Sequence, residues 1–448
     1  MTRASERLFG TDGVRGVAGV WPLDPQTIAR LGAAVVRVRQ SADPIRIILG
    51  RDTRESGEWI EREFARGVST QGASVTSAGV FPTPGVAYLA RERDFELGVV
   101  LSASHNPYAD NGIKVFSGHG EKFGEREERA VEAVMADPGW KVGSGGDGHV
   151  NREEFVEPYL AHLRRLLPDR GPLAGARIAV DMANGATTTT AVRLFESLGF
   201  EVVAIGNEPD GRNINLACGS THPARLSAAV VSRGCRLGVA FDGDGDRAIL
   251  VDHRGRVVDG DAVLLMLAVH RKHQGRLAGD TVVATVMSNI GLEIALRDRG
   301  IRLVRTPVGD KYVMEEMLKG GYVLGGEQSG HVILTEHLAT GDGMATALAV
   351  LRVMAETGRD LADLAAELVT FPQTLTNVRV REKRPVTSVP EIQAAIARVE
   401  AALEGRGRVL VRYSGTEPLL RIMIEGPDQA SVQAWAEEIA EAVRGTLS

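Results

Sequence analysis

Ser104 is preceded by Ser102 and followed by His105, Asn106 and Pro107, with Asn111, Gly112, Ile113 and Lys114 shortly after. A serine next to an imidazole invites a nucleophilic reading, because a hydroxyl needs activation or a very good leaving group. A cap or turn serine is the commoner state of such a run, and Pro107 stops a helix from continuing directly after it. A rigid, exposed turn at the end of the apolar run Leu97–Leu101 is therefore expected. A second run, Asp242-Gly243-Asp244-Gly245-Asp246-Arg247, places three carboxylates at alternate positions. They can converge on one hard cation, with glycines letting the backbone wrap it. An EF-hand loop is excluded, since its sixth position would be Arg247 and its twelfth His253. A site with few protein oxygens suits Mg²⁺, with a phosphate completing the shell.

Two further polar runs could bind rather than react. Gly325-Gly326-Glu327-Gln328-Ser329-Gly330-His331 follows the apolar Tyr322–Leu324 and has the look of a hydroxyl-recognition loop, although a plain polar turn has the same pattern. Arg412-Tyr413-Ser414-Gly415-Thr416-Glu417-Pro418, with Arg421 beyond, offers amides, hydroxyls and two guanidiniums, the makings of a phosphate cradle on a hairpin loop. The run lacks the GxxxxGK[ST] pattern of nucleotide triphosphatases.

The elements that must position these runs repeat. A strand, a Gly-containing turn, a helix and a second strand are read at 45–49, 57–71 and 73–78, again at 176–180, 188–198 and 200–205, and again at 281–286, a helix ending near 299, and 301–305. That is the βαβ signature of parallel sheets. After Phe371-Pro372 the character changes: strands at 375–380, 409–413 and 419–424 alternate with a helix at 389–403. A last helix aligns Val432, Trp435, Ile439 and Val443. The expected architecture is three tandem related α/β (mixed-sheet) domains, 1–155, 156–258 and 259–370, plus a smaller C-terminal α+β domain, 371–448, around a central cleft. A chain of 448 residues exceeds what one core usually holds. The net charge of −6 argues against nucleic acid as a partner. Cys218 and Cys235 do not suggest a disulfide scaffold. The absence of a leader pattern or membrane-length apolar run makes a cytoplasmic location the expectation.

Taken in order along the whole chain, the four runs resemble those of the α-D-phosphohexomutase superfamily, as does Phe9-Gly10-Thr11-Asp12-Gly13-Val14-Arg15-Gly16. Within it, the Gly326–His331 loop and Cys218-Gly219-Ser220-Thr221-His222-Pro223 are most similar to the bacterial phosphoglucosamine mutase family. Phosphomannomutase/phosphoglucomutase relatives more often carry Met at the position of Gln328. The resemblance implies that Ser104 is a phosphoserine, and that Asp242, Asp244 and Asp246 hold one Mg²⁺ with a phosphoserine oxygen. It further implies that Lys114 and His331 serve proton transfer, and that Arg15 and Arg247 balance charge near the phosphoserine. Glu327 and Ser329 would read sugar hydroxyls, while Arg412, Ser414, Gly415, Thr416 and Arg421 would grip the phosphate that is not reacting. Lys311 stands where relatives usually have Arg, and Met182 where they often have Cys. The implied activity interconverts glucosamine 6-phosphate and glucosamine 1-phosphate through a 1,6-bisphosphate, supplying amino sugar for cell-wall precursor (UDP-N-acetylglucosamine) synthesis. Glucosamine or glucose 1,6-bisphosphate would be the activator. The implied partner is a small sugar phosphate, and a homodimer is left open. A phosphomannomutase/phosphoglucomutase is the alternative within the superfamily; a phosphoserine-using sugar phosphatase and a sugar-phosphate sensor are alternatives outside it.

Overall fold

The computed structural model describes residues 7–39, 43–143, 145–414 and 418–447. They divide into two compact units: one made of the chain up to Met287 with Ile301–Glu367, the other of Ser288–Gly300 with the chain from Leu368 onward.

The first unit contains three mixed sheets. The six-stranded sheet runs in the order Val14–Val17, Asp110–Ser117, Leu97–Leu101, Arg46–Arg51, Ser74–Val80, Asn151–Arg152. Leu97–Leu101 and Ser74–Val80 lie parallel to Arg46–Arg51, whereas Asp110–Ser117 folds back antiparallel on Leu97–Leu101. Alternation in the strands gives each face its own partners. Ile47, Leu49, Val99 and Leu101 join one core with Ile28, Leu31, Ile60 and Phe64 of the helices Pro25–Arg39 and Gly57–Ser69. Gly98 faces Val86 and Ala90 of the helix Thr83–Glu92 instead. The first two helices approach closely because Gly67 lacks a Cβ, which would sit 1.8 Å from the carbonyl oxygen of Ala29.

The second sheet is five-stranded, in the order Val257–Val258, Ala248–Asp252, Leu237–Phe241, Arg177–Asp181, Glu201–Ile205; the third is four-stranded, in the order Arg302–Thr306, Thr281–Thr285, Leu324–Gly326, Val332–Leu334. In each, the expected βαβ strands pair in parallel. One expectation needs correction. The helix read at 188–198 is broken: a 3₁₀ turn, Ala186–Thr189, precedes the helix Ala191–Ser197, with Thr190 between them at φ −126°, ψ −42°. The helix of the third repeat is found as expected, at Ile290–Arg297, and falls in the second compact unit. There Ile290 N–H donates to Glu425, and Asn289 exchanges hydrogen bonds with the backbone of Phe371.

The rest of the second unit is an antiparallel sheet, Gln373–Arg379, Leu419–Glu425, Arg408–Tyr413, with the helices Pro390–Leu403 and Gln429–Leu447. Pro390 opens its helix at the first position, where its missing N–H costs nothing. Val432, Ile439 and Val443 are buried in this core as expected, with Trp435 packed at its margin. Among the described residues no helix is long and apolar enough to cross a membrane.

Candidate active site

The polar runs of the first unit sit at the C-terminal ends of strands with parallel neighbours, where open α/β sheets place their ligand sites. Leu97–Leu101, buried throughout, delivers Ser102 and Ser104; Leu237–Phe241 delivers Asp242; Leu324–Gly326 delivers Glu327. The serine turn is buried rather than exposed, with Ser104 only 1% accessible. Its backbone is left-handed, φ 52°, a conformation a serine adopts only when its surroundings impose it.

Those surroundings come from residues for which sequence reasoning had no role. Asp52, at the end of the neighbouring parallel strand, accepts from Ser102 Oγ at 2.6 Å and from Arg54 Nε at 2.8 Å. Ser102 Oγ in turn accepts from Ser104 N at 2.9 Å. The Arg54 guanidinium, fully buried, donates to the carbonyls of Ser104, Asn106, Pro107 and Asp110; Asn215 Nδ2 also donates to Ser104 O, at 2.9 Å. The signal was present in Gly50-Arg51-Asp52-Thr53-Arg54, a charged pair closing an apolar strand.

Asp242, Asp244 and Asp246 converge, each offering an oxygen within 4.8 Å of the others, and all three are buried. Gly243 permits the approach to the serine turn, since a Cβ there would lie 2.4 Å from Ser104 O. Ser104 Oγ donates to Asp242 Oδ2. Burial, together with the Asp246 and Asp244 charges, pushes the Asp242 carboxyl well above the usual carboxylate range. Among the described residues, Asp244 Oδ1 has no hydrogen-bond partner, and Asp246 Oδ1 has the longer charge contacts of His331 Nδ1 at 3.6 Å and Arg247 Nε at 3.8 Å. Buried carboxylate oxygens short of donors, on three convergent acids, fit one hard divalent cation.

The cationic residues close around this triad. Lys114 Nζ lies 2.8 Å from Asp244, 2.9 Å from Asp12 and 3.3 Å from Asp246. Burial alone would favour its neutral form, but these carboxylates hold its pKa well above the ordinary lysine value. Arg15 pairs with Asp12. His331 is engaged at both ring nitrogens: Nδ1 faces Asp246, while Nε2 accepts from Gly341 N–H at 3.2 Å and lies 3.6 Å from Asp310. His105 Nδ1 is 3.3 Å from Ser104 Oγ, yet burial, followed by the charges of Arg247 and Arg15, lowers its pKa to about 4. Such an imidazole is neutral near pH 7 and a poor general base. Glu327 accepts from Gly309 N–H and Ser329 Oγ, both at 3.2 Å. Lys311 is paired with Glu128 at 2.7 Å.

In the second unit Arg412 and Arg421 stand directly opposite on adjacent antiparallel strands, Arg421 reaches Ser414 Oγ at 3.5 Å, and Lys383 Nζ donates to Ser414 O at 2.7 Å. Partial burial and then the Arg421 charge lower the Arg412 pKa. Like charges placed opposite each other favour an anion between them. Lys383 was not anticipated. Gly415 and Thr416 lie outside the described residues.

Four family profiles match the chain in sequence order: phosphoglucomutase/phosphomannomutase alpha/beta/alpha domain I at residues 6–140, domain II at 157–255, domain III at 259–371 and the C-terminal domain at 375–442. Phosphoglucosamine mutase of Solibacter usitatus is 50% identical, the match covering 98% of each chain. That of Moorella thermoacetica is also 50% identical, covering 95% of this chain and 97% of its own. The crystal structure of a phosphoglucomutase/phosphomannomutase family protein from Burkholderia thailandensis superposes with a TM-score of 0.79 over 98% of each chain at 23% identity, a likeness of fold. With half of its residues shared across nearly its full length, the chain belongs to the phosphoglucosamine mutase family of the phosphoglucomutase/phosphomannomutase proteins.

Proposed function

We propose that the chain interconverts glucosamine 6-phosphate and glucosamine 1-phosphate by carrying a phosphoryl group on Ser104. The observation that carries this reading is the seating of Ser104 Oγ against Asp242 of a buried carboxylate triad, beside a histidine too weakly basic to activate it for hydrolysis. Phosphorylated Ser104 gives its phosphoryl to O1 of glucosamine 6-phosphate: the P–Oγ bond breaks, the P–O1 bond forms, and the O1 proton leaves to a base. Ser104 Oγ, which takes up a proton in the first transfer, then receives the 6-phosphoryl of the resulting 1,6-bisphosphate: the P–O6 bond breaks, the P–Oγ bond forms again, and the hydroxyl proton leaves as O6 gains one, releasing glucosamine 1-phosphate.

Asp242, Asp244 and Asp246 would hold Mg²⁺ together with a phosphoserine oxygen. Bound there, the ion neutralises charge on the transferring group. Arg15 and Arg247 supply fixed positive charge on the same side. Lys114 would serve proton transfer, and its carboxylates, which hold it protonated, rule it out as the base that takes the O1 proton. His331, held at both nitrogens, acts through Asp246. Glu327 and Ser329 read sugar hydroxyls, and Arg412, Ser414, Gly415, Thr416 and Arg421 hold the phosphate that is not reacting. A sugar 1,6-bisphosphate, of glucosamine or glucose, would load Ser104 and so activate the enzyme. A cytoplasmic location and a supply of amino sugar to cell-wall precursors go with this reading.

The test compares kcat/KM for the phosphates of glucosamine, glucose and mannose. A clear preference for the amino sugar is expected. Equal use of all three would move the assignment to phosphomannomutase/phosphoglucomutase.

A further inference from the structure

Away from the triad, the segment that opens the helix Asp310–Gly320 meets Lys122, in the loop after the strand Asp110–Ser117, and Glu128, on the helix Glu125–Ala136, through two ion pairs of opposite polarity. Asp310 Oδ2 accepts from Lys122 Nζ, and Lys311 Nζ donates to Glu128 Oε2 at 2.7 Å. Adjacent residues of one chain segment thus present minus and plus to plus and minus across a sequence gap of more than 180 residues. Side-chain exposures are 15% and 12% for the first pair and 11% and 6% for the second, so each charge is largely removed from water. Sliding Asp310-Lys311 by one residue would set like charges against each other, which makes this contact a register device and not only an attachment.

Both ends of the contact lead to the reacting groups. Lys122 also donates to Asp12 Oδ1 at 2.6 Å, and Asp12 Oδ2 is 2.9 Å from Lys114. Lys114 touches Asp246, which faces His331, which faces Asp310 again. The six residues close a ring in which three carboxylates alternate with Lys122, Lys114 and the His331 ring. On the other side, Gly309 N–H donates to Glu327 Oε1, tying the same segment to the hydroxyl-recognition loop.

We propose that Lys122 and Lys311 are positioning residues for the transfer on Ser104: their pairs with Asp310 and Glu128 fix the Gly309–Lys311 segment, and with it Glu327 and His331, relative to Lys114. Lys311 acts through Glu128 and not by touching the sugar phosphate. The inference rests on the mutase reading for its catalytic readout and on geometry alone for the contact.

The experiment is a charge-swap cycle on the full chain, with Glu128→Lys, Lys311→Glu and the double variant, beside Lys122→Met and Lys122→Arg. Each is assayed for kcat and KM, and for hydrogen exchange over peptides spanning residues 309–331. Either single swap is expected to lower kcat about tenfold or more and speed exchange in those peptides, since it sets two like charges in a largely buried contact. The double swap is expected to recover most of both. Lys122→Met is expected to lower kcat more than it raises KM, and Lys122→Arg to regain most of it. If the double swap restores exchange protection but leaves KM as high as Lys311→Glu alone, Lys311 contacts substrate directly and the proposal falls. It falls too if the single swaps match the parent in both readouts. A parent chain without mutase activity would sink the functional reading instead, while exchange protection would still report on the contact.

Discussion

The serine turn of the first unit and the Arg412–Arg421 hairpin of the second are both suited to phosphate, but they are built on opposite principles. Around Ser104 the buried cations are matched: Lys114 by three carboxylates, Arg54 by Asp52 and four carbonyls, Lys122 by Asp12 and Asp310. In the hairpin, two guanidiniums face one another on a partly accessible sheet and Lys383 donates to Ser414 O, so like charges are gathered at one place. A site that transfers a phosphoryl group must fix its groups before the reaction, because electrostatic stabilisation works only where no reorganisation is needed. A site that merely holds a phosphate can gather like charges for the ligand to bridge.

This contrast can be broken most sharply at Ser104. Ser104→Ala should lower mutase activity by at least about a thousandfold, because no neighbouring hydroxyl shares its seat against Asp242. Next in size, Asp244→Asn should lower kcat by about a hundredfold, and chelation followed by Mg²⁺ addition should abolish and restore parent activity. An enzyme indifferent to chelation would remove the metal reading of the triad. At the hairpin the signature should differ: Arg421→Ala should raise KM by about tenfold while Ser104 still accepts phosphate from a bisphosphate. A variant that instead blocks phosphorylation of Ser104 would erase the distinction between the two regions.

Much of the serine side was legible because its parts are local. Apolar runs ending in Ser102–Ser104, Asp242–Asp246 and Glu327 deliver polar tips on the strands Leu97–Leu101, Leu237–Phe241 and Leu324–Gly326, the last beginning where the apolar run Tyr322–Leu324 ends. What supports those tips was not legible. Asp52 with Ser102, Lys122 with Asp310 and Glu128 with Lys311 are paired across 50, 188 and 183 residues, and spacing along a chain carries no trace of such partners. The same holds for the helix Ile290–Arg297, which periodicity identifies correctly but whose partners, Val369, Phe371 and Glu425, lie far ahead. The break at Thr190 was missed for a local reason: four consecutive threonines, Thr187–Thr190, disfavour a regular helix, and Thr188, Thr189 and Thr190 bond back to carbonyls three residues earlier.

The smallest expected effect concerns stability, at a histidine stack of the first unit. His162 lies between Tyr88 and His337, with ring centroids 4.3 Å from each, and burial and then the His337 charge lower its pKa to about 4. The unfolded chain takes up this proton near pH 6.5, whereas the folded chain resists until about 4. Its contribution is therefore present above pH 6.5 and lost as pH falls from there towards 4. Tm of the parent should drop across that window, and His162→Asn should flatten part of the drop; an unchanged slope would show that His162 is not held neutral.

The most direct test of the central claim is the intact mass of the chain before and after incubation with glucosamine 1,6-bisphosphate, with the modified residue mapped by peptide. One added phosphoryl group on Ser104, absent from Ser104→Ala, is the predicted result. A phosphoryl group that maps elsewhere, or near-parental mutase activity in Ser104→Ala, would contradict it.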